Sequence, residues 1–168
     1  MVKWYKTYLE VYGKSFDEIS DDSIRKVKRQ LKECQNDSPL VSVVLIAHNE
    51  ERHLVSCIWS LSGNHCHFPI EIIAVNNNST DKTEEVLKSL GVTYYNETKK
   101  GPGYARQCGL DHAKGKYHIC IDADTLYPPP PNLPPACSLV ITVSTPETPS
   151  PGTSSTGMPR PSSTTRMP

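Results

Sequence analysis

Between residues 41 and 121 the chain alternates two hydrophobic periodicities, and that alternation restricts it to few folds. Val41-Ser42-Val43-Val44-Leu45-Ile46-Ala47 is an almost continuous apolar run of strand length. Leu54, Cys57, Ile58 and Leu61 then recur at i, i+3, i+4 and i+7, one face of a helix. A second strand reads from Ile70 to Val75. Asp81, with Glu84 three residues on, can open a second helix with Val86, Leu87 and Leu90 as its apolar face and Gly91 at its end. Val92 to Tyr95 is a short third strand. Ala105, Gly109 and Ala113 form the small-residue face of a third helix, ended by Gly115, and Tyr117 to Ile121 is a fourth strand. Strands that alternate with helices predict an α/β fold with a mostly parallel, Rossmann-like sheet. Wound in the order 3-2-1-4, the sheet has its switch point between strands 1 and 4. Ligands of such sheets sit there, beyond the carboxyl ends of the strands.

Three polar clusters fall at those ends: His48-Asn49-Glu50, Asn76-Asn77-Asn78-Ser79-Thr80-Asp81 and Asp122-Ala123-Asp124. Strand alternation lets residues two apart point the same way, so Asp122 and Asp124 can project together. Two such carboxylates repel unless a cation or donors lie between them. Mg2+ or Mn2+ suits the pair, being oxygen-seeking and commonly held by one or two carboxylates plus a diphosphate. Taken alone, an Asp-x-Asp also reads as a solvated turn; its place after a buried strand favours the cation. Gly101-Pro102-Gly103-Tyr104-Ala105-Arg106 begins like G-x-G-x-x-G, with Arg106 where the third glycine belongs. It reads equally as a turn before a helix and as a loop whose Arg106 approaches an anionic ligand. The sequence contains neither a G-x-x-x-x-G-K-[ST] loop nor a G-x-S-x-G elbow.

Composition divides the chain into three zones. Residues 1–38 read as a helical segment: Tyr5, Tyr8, Leu9 and Tyr12 repeat at helix spacing, as do Ile24, Val27 and Leu31, with Gly13 between the runs. Ser20, Asp21 and Asp22 supply N-cap candidates ahead of the basic run Arg25 to Arg29. That helix can touch a membrane or a partner through its basic face. Packing on the domain with a solvated charged face is the preferred reading. Residues 39–127 carry the alternating pattern. From residue 128 to 168 stand 12 of the 15 prolines, with 14 Ser and Thr, and disorder is expected there. Val140 to Val143 could form a stray strand. The formal net charge is +0, with 18 basic and 18 acidic residues, so electrostatics gives no case for nucleic acid. The start lacks a signal peptide and no apolar run is long enough to span a bilayer, which places the protein in the cytosol or on the cytosolic face of a membrane. Six cysteines without a Cys-x-x-Cys pair read as reduced, mostly buried or neutral thiols, and His65-Cys66-His67 as a polar loop in preference to a zinc cluster.

Four segments together resemble family 2 glycosyltransferases: Val41 to Glu51, Glu71 to Thr83, Lys100 to Leu110, and Asp122-Ala123-Asp124-Thr125. The resemblance implies a GT-A fold, a nucleoside diphosphate sugar donor carrying UDP or GDP, and a glycan or lipid-linked acceptor, as in cell-wall and polysaccharide biosynthesis. By that resemblance Ala47, His48 and Glu50 line the nucleoside pocket. Asn76 or Asn77 takes the place of a base-reading residue that is often Asp, so the base stays open. Arg106 lies near the base or diphosphate, Asp122 faces ribose or metal, and Asp124 ligates the metal. The implied reaction is displacement at the anomeric carbon with inversion, the acceptor base lying downstream of the metal motif. The family pattern is expected to stop after Tyr127-Pro128-Pro129. The tail then reads as foreign or out of frame, strand 4 becomes an exposed edge, and the chain would be incomplete and inactive alone. The other readings are a nucleotide-sugar-binding module without turnover; a nucleotidyltransferase, against which the acidic His48-Asn49-Glu50-Glu51 stands where a basic glycine-rich loop is wanted; and a phosphate-signalling receiver domain, disfavoured because no acidic cluster of the needed form follows strand 1.

Overall fold

The computed structural model describes residues 4–64 and 68–128. His65-Cys66-His67, Cys137, the Val140–Val143 run and the proline-rich tail from residue 129 lie outside them. In chain order the elements are α1 (Asp21–Cys34), β1 (Val41–Ala47), α2 (Leu54–Ser62), β2 (Ile70–Asn77), α3 (Thr83–Leu90), β3 (Thr93–Glu97), α4 (Pro102–His112) and β4 (Tyr117–Asp122). The four strands form one sheet in the order β3-β2-β1-β4, parallel throughout, as the alternating pattern predicts.

β1 is central and every one of its residues is buried, because helices cover both faces. On one face Val43, Leu45, Ile70, Ile72 and Ala74 join α1, α2 and α3 in the larger core. On the other, Val44, Ile46, Ile73 and Val75 meet α4 through Ala105. Glycine at position 109 lets α4 approach the sheet this closely; a methyl group there would collide with Val44 Cγ1.

α1 begins where the sequence predicts: the Ser20 hydroxyl accepts a hydrogen bond from the Ser23 amide at 3.3 Å, and Val27 and Leu31 are buried. α3 ends at Gly91, whose φ of 71° is left-handed, with the Val92 amide returning to the Leu87 carbonyl at 3.2 Å.

The structure departs from the sequence reading at four places. Residues 4–10 form two short 3-10 turns, Trp4–Lys6 and Tyr8–Glu10, in place of one α-helix. So short a run gains little from helix propagation, and Tyr8 instead packs edge-on against Trp59, with ring centroids 5.6 Å apart. α2 buries all nine of its residues, not one stripe. Its serines satisfy themselves locally: Ser56, Ser60 and Ser62 donate to the carbonyls of His53, Cys57 and Trp59. Asp81 and Glu84 do not form a capping box. Asp81 accepts from the Thr83 and Glu51 amides, while Glu84 accepts from the Tyr94 hydroxyl at 2.8 Å. Finally, α4 ends at an extended Ala113. Gly115 serves a different purpose, because a Cβ there would lie 2.7 Å from the Ser42 nitrogen and 2.8 Å from the Val41 carbonyl carbon.

β3 pairs with β2 only from Ile73 onward. Below that point Gln35 takes over the margin of β2. Its side-chain amide donates to the Ile72 carbonyl and accepts from the Ile72 amide, both at 2.9 Å, and the Asn36 amide donates to the Ile70 carbonyl. A side chain thus stands where a strand residue would.

Candidate functional site

The carboxyl ends of β1, β2 and β4 carry the three polar clusters, and the first two are sewn together. Asn49 and Asn78 both adopt left-handed backbone conformations, φ 58° and 57°, which asparagine tolerates better than most residues. The Asn49 amide donates to Ser79 Oγ at 3.0 Å, and Asn49 Oδ1 accepts from the Thr80 amide at 2.8 Å. The Glu50 amide donates to Thr83 Oγ1 at 2.8 Å. The Glu51 amide donates to Asp81 Oδ2 at 3.1 Å, and Glu51 Oε2 accepts from the Lys82 amide at 3.0 Å. Ser79, Thr80, Asp81 and Thr83 are therefore the residues that hold the loop after β1, a role spacing alone did not reveal. Reciprocal side-chain-to-backbone bonds of this kind fix the direction in which Glu50 leaves the strand.

Ala47 ends β1 buried beside Asn76 of β2. His48 Nδ1 lies 2.7 Å from the Asn77 carbonyl oxygen. The two asparagines of β2 differ. Asn77 is fully engaged: its Nδ2 donates to the carbonyls of Glu97 and Lys99, and its Oδ1 accepts from the Gly101 amide at 2.9 Å. It tethers the loop between β3 and α4. Asn76 donates to Asn96 Oδ1 at 2.9 Å, yet its own Oδ1 is buried with no partner. A buried acceptor left open is costly unless something else supplies a donor.

Glu50 accepts from His53 Nδ1 at 2.8 Å. Between α2 and the sheet, burial pushes the Cys57 thiol well up, and the charges of Asp124 and Glu50 push it further. One buried group thus feels carboxylates from the exits of both β1 and β4. Asp122 turns toward α4, where its carboxylate lies 3.6 Å from Arg106. β4 ends at Asp122, so strand alternation does not extend to Asp124, which lies in the following turn and accepts from the Thr125 hydroxyl at 3.1 Å. Tyr127 packs below this turn; burial, with smaller contributions from Cys57, Asp122 and Asp124, moves its hydroxyl up to about 12. Cys108 and Cys120 are also pushed up, chiefly by burial. Among the described residues no group of three or more His, Cys, Asp or Glu side chains is placed to hold a metal ion.

A parallel sheet with acidic and amide side chains at its switch point defines a class of ligand-binding α/β domain, and sequence comparison assigns the class. The profile described as Glycosyl transferase family 2 matches residues 42–140, and the chain belongs to that family. The match runs into the proline-rich segment, past the Tyr127-Pro128-Pro129 boundary expected from composition. An uncharacterized glycosyltransferase of Rickettsia prowazekii (strain Madrid E) is 35% identical over 94 residues, covering 55% of this chain and 29% of that protein. One from Haemophilus influenzae is 32% identical over 92 residues, covering 51% and 36%. A mannosyltransferase from Pyrobaculum calidifontis, solved in complex with GDP-Man and Mn2+, shares 24% identity with a TM-score of 0.49, covering 62% of this chain and 35% of that one. The chain spans 29% and 36% of the length of the two relatives. Among the described residues no helix is long and apolar enough to cross a membrane.

Proposed function

We propose that the carboxyl end of this sheet holds the nucleoside diphosphate of a sugar donor, and that the chain is the donor-binding part of a transferase that moves the sugar to an acceptor hydroxyl with inversion. The observation that carries this reading is the parallel pairing of β1 with β4, Ile46 beside Asp122, which brings the polar residues that follow both strands out at the same switch point. Ala47, His48 and Glu50 line the nucleoside side. Of the two asparagines, Asn76 is the one free to read a base, because its open Oδ1 can accept from a ring N–H, whereas Asn77 has its amide fully engaged. Arg106, on the first turns of α4, faces the diphosphate together with Asp122.

The donor set fits Mg2+ or Mn2+. Asp122 is 67% exposed and only loosely engaged by Arg106, leaving carboxylate oxygens open. Together with Asp124 it offers hard oxygen ligands to a cation that completes its shell with water and diphosphate, and needs no all-protein cage. When bound, such an ion supplies charge to stabilise the departing diphosphate. The acceptor is a glycan or lipid-linked hydroxyl, and the site of action is the cytosol or the cytosolic face of a membrane.

Calorimetric titration of the full 168-residue chain with UDP and with GDP, with and without Mn2+, tests the reading. One of the two nucleotides should bind more tightly with the ion present. Asp124→Asn should remove roughly tenfold of that affinity, about 1.4 kcal/mol, while leaving metal-free binding unchanged. Failure of both nucleotides to bind, or an Asp124→Asn chain that keeps the full metal effect, sinks it.

A further inference from the structure

The donor-site reading leaves one cluster unused, the contact between the N-terminal segment and the loop after β1. Gly13, at a left-handed φ of 76°, donates its amide to the Arg52 carbonyl at 3.0 Å, and Arg52 Nη1 returns a hydrogen bond to the Gly13 carbonyl at 3.3 Å. Beside this clasp the Tyr12 ring packs against the His53 imidazole at a tilt of 44°, with centroids 4.9 Å apart. His53 Nδ1 in turn sits 2.8 Å from Glu50 Oε2. A carboxylate only accepts, so Nδ1 carries the proton and donates. Both side chains are sheltered, His53 32% and Glu50 24% exposed. The same segment reaches the loop between β2 and α3 through the Asp17–Lys82 ion pair.

These contacts form a relay. Tyr12 restricts the tilt of the His53 ring, the backbone clasp sets the height of the loop, and the ring N–H fixes one of the two Glu50 oxygens. One oxygen of the Glu50 carboxylate is thereby tied to the start of α2, and the other is left for a ligand. We propose that His53, braced by Tyr12, is a positioning residue that sets the Glu50 carboxylate for the nucleoside of the donor. It touches no ligand itself. This rests on the donor-site reading given above.

Several variants of the full chain distinguish positioning from general stability. Asparagine reproduces a donor at the place of Nδ1, whereas leucine keeps comparable bulk without one. With Mn2+ present, His53→Leu should weaken binding of the preferred nucleotide, UDP or GDP, by about fivefold, and His53→Asn should stay within about twofold of the parent. In a Glu50→Ala background His53→Leu should add nothing, because there is no carboxylate left to orient. Tyr12→Leu should shift the His53 ring signals in the NMR spectrum without ligand, and Glu50→Ala should shift them further. His53→Leu binding as tightly as the parent, His53→Asn as weak as His53→Leu, or additive losses in the double variant would each overturn the proposal. So would ring signals that ignore both Tyr12 and Glu50, a reading that needs no nucleotide. Should the parent bind neither nucleotide while those shifts appear, the donor-site reading fails and the mechanical linkage stands alone as an observation about the loop.

Discussion

The two ends of the sheet use carboxylates in opposite ways. At the amino end Glu71 is 6% exposed and tied into the scaffold through one oxygen. Its Oε1 accepts from the Ser42 hydroxyl at 2.5 Å and the Lys114 amide at 2.7 Å, while Ser42 Oγ accepts from the Gly115 amide at 2.8 Å. That cluster pins the connection from α4 into β4 against the starts of β1 and β2. At the carboxyl end Asp122 and Asp124 are exposed, with partners at hydrogen-bond or looser distance and oxygens to spare. Burial against scaffold donors makes an acid part of the scaffold. Exposure with spare lone pairs, next to a switch point, leaves it available to a ligand.

Substitutions at the two ends should therefore separate stability from binding. Gly115→Ala should have the largest effect, because the added methyl meets main-chain atoms of Val41 and Ser42 that cannot swing away. A loss of about 4 kcal/mol or more is expected in urea unfolding; a loss below about 1 kcal/mol would mean that the backbone approach is softer than described. Next, Glu71→Ala should cost about 2 kcal/mol by stranding the Lys114 amide and the Ser42 hydroxyl, with nucleotide affinity unchanged in whatever fraction stays folded. A Glu71→Ala chain with parental stability and impaired binding would invert the comparison. The smallest effect is expected at Asp122→Asn, which weakens only an exposed ion pair and should alter the unfolding free energy by less than about 1 kcal/mol, the change appearing instead in metal-dependent nucleotide affinity.

Much of the scaffold was legible in the sequence because hydrophobic period is a local signal. β1 spans the expected residues, and β2 and β4 run only slightly further than their apolar cores, Asn76, Asn77 and Asp122 being strand residues that carry polar side chains. Gly91 and Gly115 mark the limit. Both stand after helices, but one is needed for its left-handed φ and the other for its missing Cβ, a distinction that depends on β1, more than seventy positions away along the chain from Gly115. The candidate site was visible as clusters at strand ends. Which asparagine is free could not be seen, because Asn77 is occupied by the loop carrying Gly101, and that loop's path is tertiary. His53 had a local signal, a histidine three residues after Glu50 at the mouth of a helix. Its ring partner Tyr12 had none.

Gln35 gives the sheet a boundary of an unusual kind. It directly follows the last residue of α1, and its amide group presents to β2 the donor and acceptor of a peptide unit. A second polypeptide seeking to add itself along that stretch finds the docking groups already spoken for, without the chain having spent a whole strand on the defence. Cover along this margin is thus shared between one planar side-chain group at Ile72 and a short stretch of main chain at Ile70.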